Sequence, residues 1–351
     1  MKIIFVLPDM PGGGSERVVA LLANEYIERG YEVGILLFAG NTVAYPLHKD
    51  VEVFVAGKAS GGNPFIRIKR LYEMRRYFKK NKGAYVFSFC VMGTVFTVLT
   101  AIGIKHFLLV SERNDPTRIP HQKLRNWAYR KAHRLVFQTK DMQDLFPKDI
   151  SEKSAVIPNP VSSDIRERYE GERKKWVVSV GRLEAQKNHR LLLEAYADFV
   201  QEYPDYELHV FGIGELKDEL VALGKSLGIE SKIVWEGFSP TVKEEIWDAA
   251  MYVLSSDYEG ISNSMIEALA MGVPVISTDC PVGGSAEYIS HMESGMLVPV
   301  GDKTRMTEAM KMIASNQDFA DKISNNAAKI REQYSLSIIA TRFLEEAGLT
   351  P

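Results

Sequence analysis

Short apolar runs alternate along the chain with longer stretches whose apolar residues recur every three to four positions. In the first half, the runs at 2–7, 33–38, 51–55, 86–90, 107–110 and 134–138 read as strands, being short and rich in β-branched and aromatic residues. Between them, 15–29, 66–80, 94–102 and 124–132 carry helical periodicity. Residues 157–175, rich in Pro, Ser and charge, read as an interdomain linker, and then the pattern restarts. Strands are predicted at 176–180, 207–211, 233–235, 252–254, 275–277 and 295–298. Helices are predicted at 188–202, 216–227, 241–249, 264–271 and 304–315, and 318–346 is mostly helical. Strands alternating with helices predict an α/β chain with a doubly wound parallel sheet in each half. No internal repeat is visible at the level of residues.

Composition agrees with that picture, since 351 residues with 46% hydrophobic and 25% charged content suffice for two such domains. The first residues, MKIIFVLPDM, turn polar too soon for a secretory signal. Residues 83–104 carry no charge and approach the length of a membrane span, but a strand to about 90, a break at Gly93 and a helix from 94 account for them better. Cys90 and Cys280 offer neither a disulfide framework nor metal-ligand spacing, so both are expected as reduced core residues of a cytoplasmic protein. The net charge of −2 conceals a division: residues 1–150 hold 23 Lys and Arg against 13 Asp and Glu, and the rest is acidic by 12 charges. One half is thus suited to an anionic surface or ligand.

The candidate chemistry lies where strands feed helices. In VGRLEAQKNH, Arg182 and Lys187 follow a strand and Asn188 can cap the next helix, which would make a diphosphate clamp; ordinary surface charge is the plain alternative. In DYEGISNSMIEALAMG, Glu259 and Glu267 lie eight positions apart. Glu267 fits a capping box with Ser264, or could hold ribose hydroxyls. Glu259, in a turn with no helix to cap, is harder to assign to structure alone. Gly12, Gly13, Gly14 and Ser15 would let backbone amides approach an anion, or form a plain flexible loop, and the same choice applies to Gly212 and Gly214. The G-x-G-x-x-G fingerprint is absent, which argues against a nicotinamide enzyme. The stretch 63–83 carries eight basic residues and one acid among Ile66, Ile68, Leu71, Tyr72 and Phe78; it reads as a solvated helix or as one for an anionic membrane surface. No nucleic-acid recognition motif accompanies that charge, and no D-x-D or His/Cys/Asp cluster calls for a metal.

Taken in order, the Gly-rich first loop, GRLEAQKNH, EGISNSMIE and ALAMGVPVISTD resemble glycosyltransferase family 4, the retaining enzymes of GT-B fold, over nearly the whole chain. VSERNDP, VFQT and IPNPV resemble the members that build bacterial surface polysaccharides and glycoprotein glycans. The resemblance implies two Rossmann-like domains with a ligand cleft between them: 1–165, rejoined by a C-terminal helix at 334–351, for the acceptor, and 172–333 for the nucleotide sugar. It implies that Glu259 faces the donor sugar, that Glu267 holds the ribose, and that Arg182, Lys187 and the backbone around Asn263, Ser264 and Met265 receive the diphosphate. Gly260, Ile261 and Ser262 would complete that wall, Gly212 and Phe238 would line the base pocket, and Gly13, Gly14 and Ser15 would approach the phosphates and acceptor. Relatives often carry a His after the strand at 107–110; here the segment is Ser111-Glu112-Arg113-Asn114-Asp115, so Glu112 or Arg113 is expected to take part in acceptor or sugar binding.

The expected function is therefore transfer of a hexose or N-acetylhexosamine from a UDP-sugar (UDP-GalNAc, UDP-GlcNAc or UDP-Gal) to a lipid-linked saccharide at the inner face of the cytoplasmic membrane. No cofactor or metal is expected. A nucleotide-sugar epimerase of the same fold and a non-catalytic partner that binds glycan or membrane are the alternatives.

Overall fold

The computed structural model describes residues 1–57 and 64–349. Asn63, the start of the basic stretch, and Thr350 and Pro351, the end of the expected C-terminal segment, lie outside the described residues. The chain divides into two compact units, Met1–Pro160 with the stretch from Leu336 onward, and Val161–Ser335.

The first unit is built on β1 (Lys2–Leu7), β2 (Glu32–Leu37), β3 (Glu52–Val55), β4 (Tyr85–Ser88), β5 (Phe107–Ser111), β6 (Arg134–Phe137) and β7 (Ser154–Val156). They form one parallel sheet in the order β3-β2-β1-β4-β5-β6-β7. Parallel strands need crossover helices that cover both sheet faces, and the central strands are accordingly apolar along nearly their whole length. Phe5 packs edge-on against Phe87 and Phe89, with Tyr26 stacked beside it. The helix Leu336–Glu346 closes this core: Phe343 lies 6.0 Å from the Phe89 ring, and Tyr26 Oη donates to Ala340 O at 3.0 Å.

The second unit repeats the plan with β8 (Lys174–Val180), β9 (Glu207–Phe211), β10 (Ile233–Gly237), β11 (Ala249–Leu254), β12 (Val275–Thr278) and β13 (Met296–Val298). The order is β10-β9-β8-β11-β12-β13, all parallel. One core lies under the helices His189–Val200 and Lys303–Ser315, and a second lies under Asn263–Ala270 on the opposite face. Both units thus have the strand order of a doubly wound fold, with the reversal between β1 and β4 in one and between β8 and β11 in the other.

Several local readings are corrected. Gly93 breaks nothing: it sits in the first turn of the helix Val91–Thr100, where its N–H donates to the capping Cys90 Sγ at 3.2 Å. A Cβ there would lie 2.8 Å from that sulfur, so glycine is what the cap requires. The division between the units, after Pro160, falls inside the segment 157–175 read as an interdomain linker, which is nonetheless packed: Ile157, Val161 and Ile165 are buried and Lys174 already opens β8. The helix read at 241–249 is confined to Val242–Ile246, since Ala249–Leu254 is consumed by the central strand β11. The uncharged stretch 83–104 is β4 and its helix, and among the described residues no helix is long and apolar enough to cross a membrane.

Candidate active site

In an open parallel sheet, ligands bind beyond the carboxyl ends of the strands where the strand order reverses, because crossovers leave on opposite sides and open a crevice there. In the second unit that place lies past Val180 of β8 and Leu254 of β11. Two loops meet there, and hydrogen bonds stitch them together. Asn188 Nδ2 donates to Asp257 Oδ1 (2.6 Å), Ser255 Oγ to Lys187 O (2.9 Å), Gln186 Nε2 to Tyr258 O (3.1 Å) and Asp257 N to Gln186 O (2.9 Å). Asn188 also caps the helix His189–Val200 by accepting from Leu191 N at 3.1 Å, in a left-handed conformation that Asn tolerates. The third neighbouring loop, after β9, comes so close that a Cβ on Gly212 would lie 1.8 Å from Gly181 O, and one on Gly214 2.4 Å from Leu183 O. These two glycines serve close backbone approach.

The stitching brings Lys187 to Glu259. Lys187 Nζ bonds Glu259 Oε2, with the two side chains only 13% and 14% exposed, and Ser256 Oγ donates to the same carboxylate oxygen at 3.3 Å. Arg182 does not join them: its exposed guanidinium pairs with Glu184 at 2.8 Å. The clamp read from the sequence is thus one half-buried ammonium, already engaged by a carboxylate, and a second cation that must leave Glu184 to take part. A ligand with an anionic group next to hydroxyls matches such a pair, since the anion can take the ammonium while the hydroxyls donate to the carboxylate.

Glu267 is buried in the helix Asn263–Ala270. The capping box with Ser264 is not formed. Ser262 is the N-cap, accepting from Met265 N at 3.5 Å, and Glu267 lies two positions beyond the third helical residue that a capping box uses. Ser264 instead shares a hydrogen with Tyr252 Oη at 2.8 Å and donates to Val180 O at 3.3 Å. Burial pushes the Tyr252 phenol up to about 12, so it stays protonated as part of this network. Gly260, Ile261 and Asn263 share the loop and helix start with these residues, and Phe238 stands exposed after β10. His189, next to Lys187, is buried and held neutral, its pKa lowered to about 4 by desolvation and by the Lys187 charge.

In the first unit the Gly-rich loop is already occupied. Gly13 is the N-cap and the helix begins at Gly14, so Gly14 and Ser15 form its first turn. The N–H groups of Gly12 and Gly13 both donate to the Glu16 carboxylate, the former at 2.9 Å. The amides read as an anion seat thus have an acceptor of their own. Glu112 is buried, accepting from Tyr129 Oη (2.7 Å), Arg113 N (3.0 Å) and Asn114 N (3.3 Å), and burial raises its pKa. Arg113 is buried as well, bonded to Asn159 and lying 4.9 Å over the Phe89 ring. Both side chains are thus built into the interior of the first unit.

The pairing of Lys187 with Glu259, 72 positions apart, carried no local signal. Asp257 as the partner of Asn188 was missed for the same reason. Glu16 could have been found, because a Glu three residues after a Gly N-cap is a known helix-start pattern.

A family model described as Glycosyl transferases group 1 matches residues 162–330, and one described as Glycosyltransferase Family 4 matches residues 12–165. Two relatives from Campylobacter jejuni extend over almost the full chain. One, GalNAc-alpha-(1->4)-GalNAc-alpha-(1->3)-diNAcBac-PP-undecaprenol alpha-1,4-N-acetyl-D-galactosaminyltransferase, is 25% identical, with 98% of each chain covered. The other, N-acetylgalactosamine-N,N'-diacetylbacillosaminyl-diphospho-undecaprenol 4-alpha-N-acetylgalactosaminyltransferase, is 28% identical, with 94% of each covered. Among solved structures, Anabaena HepE in complex with UDP superposes with a TM-score of 0.83 at 17% identity, over 99% of this chain and 100% of that one. The fold is the GT-B fold of two parallel-sheet α/β domains.

Proposed function

Because the chain belongs to the glycosyltransferases of the family 4 type, we propose that it moves a hexose or N-acetylhexosamine from a UDP-sugar to a lipid-linked saccharide, with retention at the anomeric carbon. The observation that carries this reading is the Lys187–Glu259 pair at the carboxyl ends of β8 and β11. A nucleotide sugar presents a diphosphate for the ammonium and, on the sugar ring attached to it, hydroxyls for the carboxylate. Arg182 turns from Glu184 to the same diphosphate. Glu267 accepts from the ribose, Phe238 offers a ring to the base beside Gly212, and the helix start at Asn263–Met265 directs its amides to phosphate.

The reaction breaks the bond from the anomeric carbon to the β-phosphate oxygen and forms one from that carbon to an acceptor oxygen on the same face. The departing phosphate oxygen takes the proton of the acceptor hydroxyl. Negative charge grows on the diphosphate and positive charge on the sugar ring, so fixed cations at the first and a carboxylate beside the second lower the barrier without a protein nucleophile. The proposal includes no metal, and turnover is expected to persist in EDTA.

On the acceptor side, both Campylobacter relatives are named for undecaprenol-linked substrates, which supports a lipid-linked acceptor of that class. The helix Pro64–Lys80 supports peripheral attachment at the inner face of the membrane. Phe65, Ile68 and Tyr72 stand 81%, 65% and 67% exposed on one stripe, among Arg67, Lys69, Arg70, Arg75 and Arg76.

The test incubates the purified protein with UDP-GalNAc, UDP-GlcNAc or UDP-Gal and an undecaprenyl-diphosphate saccharide, and reads the product by mass and by its anomeric proton coupling. An α-linked product formed with release of UDP is expected. A sugar epimerised with the acceptor untouched, or turnover with GDP-sugars alone, overturns the reading.

A further inference from the structure

The turn after β12 adopts a backbone conformation that its sequence should avoid. Val282 has φ of 71° and Gly283 has φ of 67°. For a β-branched residue the left-handed region is crowded by its own backbone, so such a conformation survives only where the surroundings enforce it. Val282 is nevertheless buried, and the turn is anchored behind by a 2.7 Å hydrogen bond between Ser285 Oγ and Ser277 Oγ, both buried.

What the turn achieves is contact with the loop that carries Glu259. A Cβ on Gly284 would lie 1.6 Å from Gly260 O and 2.7 Å from its carbonyl carbon. No side chain fits there: the two backbones touch. The same loop is gripped at its start by Thr278, whose Oγ1 donates to Ser256 O at 2.6 Å. Strand β12 and its turn therefore hold the segment on both sides of Glu259, at Ser256 and at Gly260. Lys187 is tied only to the start of this segment, through Ser255 Oγ and the Asn188–Asp257 bond, and not to its Gly260 end.

We infer that the turn Val282–Gly284 is a buttress that sets where the Glu259 carboxylate stands relative to Lys187, and that Gly284 is a positioning residue for sugar transfer. The inference rests on the reading of Glu259 as the group facing the donor sugar. A methyl group at 284 must push Gly260 away, and Glu259 with it, while the β8 loop and Lys187 stay in place. Sugar transfer should then suffer more than binding of the nucleotide.

The experiment compares the wild type with Gly284→Ala in donor turnover (kcat and KM), UDP affinity by calorimetry, and thermal midpoint. Gly228→Ala serves as the control, because it places an alanine at a φ of 72° with nothing within 4 Å of the new Cβ. The expected result is a kcat lower by about tenfold or more, with UDP affinity kept or raised, never more than about threefold weaker than wild type, and the control fully active. A Gly284→Ala enzyme with wild-type kcat overturns the buttress. So does a loss of UDP affinity as large as the loss of kcat, since that reports collapse of the whole unit. Should Gly284→Ala not fold, Val282→Gly carries the test, because glycine accepts the backbone but removes the buried isopropyl wedge, and the same split between kcat and UDP affinity is expected. A wild type that turns over no UDP-sugar rejects the reading of Glu259 itself, whatever the variants do.

Discussion

Replacing Glu259 with Gln should tighten the binding of UDP while destroying transfer. In the structure Lys187 is spoken for: its ammonium meets the Glu259 carboxylate, and the two side chains are 13% and 14% exposed. At an effective dielectric of about 20 and a separation of about 3 Å, their attraction is about 5 kcal/mol. Desolvation of both groups cancels a large part of this, leaving a net value of about 1.5–3 kcal/mol. UDP brings an anion for Lys187 but no sugar hydroxyls for Glu259, so it must surrender that energy and leave a carboxylate without its cation. Gln keeps the shape and a weak acceptor but not the charge. Most of the penalty then disappears, and UDP should bind about five- to thirtyfold more tightly, from a gain of about 1–2 kcal/mol. Isothermal titration of UDP into both proteins measures this directly, with initial rates of UDP-sugar turnover alongside. The reasoning fails if Glu259→Gln binds UDP with unchanged or weaker affinity, since Lys187 would then hold carboxylate and phosphate together.

Lys187→Ala should lower kcat by about 100-fold or more, while Arg182→Ala, which loses an exposed cation paired with Glu184, costs about tenfold; equal activity in either variant and wild type removes that residue from the clamp. His189 titrates near 4 when folded and near 6.5 when unfolded, so its contribution is complete above about pH 6.5 and is lost as pH falls toward 4, by about 3 kcal/mol in all. Urea midpoints should therefore fall across that window in wild type and fall less in His189→Gln; parallel curves refute the assignment. Reversing charge on the helix Pro64–Lys80 with Arg67→Glu and Arg70→Glu should abolish flotation with anionic liposomes and spare turnover of a water-soluble acceptor analogue. Unchanged flotation would remove that helix as the docking element.

The plan of both sheets was legible because buried parallel strands are apolar along their whole length, and 2–7, 33–38, 176–180 and 207–211 stand out for that reason. Ser154–Val156 was not legible: three residues carry no periodicity, and pairing with β6 alone makes them a strand. The start of the helix at Asn263 was displaced because Ser262, Asn263 and Ser264 can each serve as cap, and only tertiary bonds of Ser264 to Tyr252 and Val180 decide among them. At the site, the residue types were legible and their pairings were not. Arg182, Lys187, Glu259 and Glu267 were picked out by chemistry and order. That Lys187 meets Glu259 while Arg182 meets Glu184 depends on how the β8 and β11 loops interlock. The Gly260–Gly284 contact left a trace in the paired glycines at 283–284, which could have flagged close approach after β12.

The helix Leu336–Glu346 gives the chain an inverted order of assembly. It supplies Phe343 to the aromatic cluster of Phe87 and Phe89, accepts from Tyr26 at Ala340 O, and pairs Glu346 with Arg134. On the ribosome the unit that begins first therefore cannot close its core until the residues of the other unit, Val161–Ser335, have been made. The second unit is free to fold whole while the first waits, its Tyr26 and Phe89 faces uncovered. A chain stalled or cut before Leu336 would thus damage the first unit, although the break lies beyond the second.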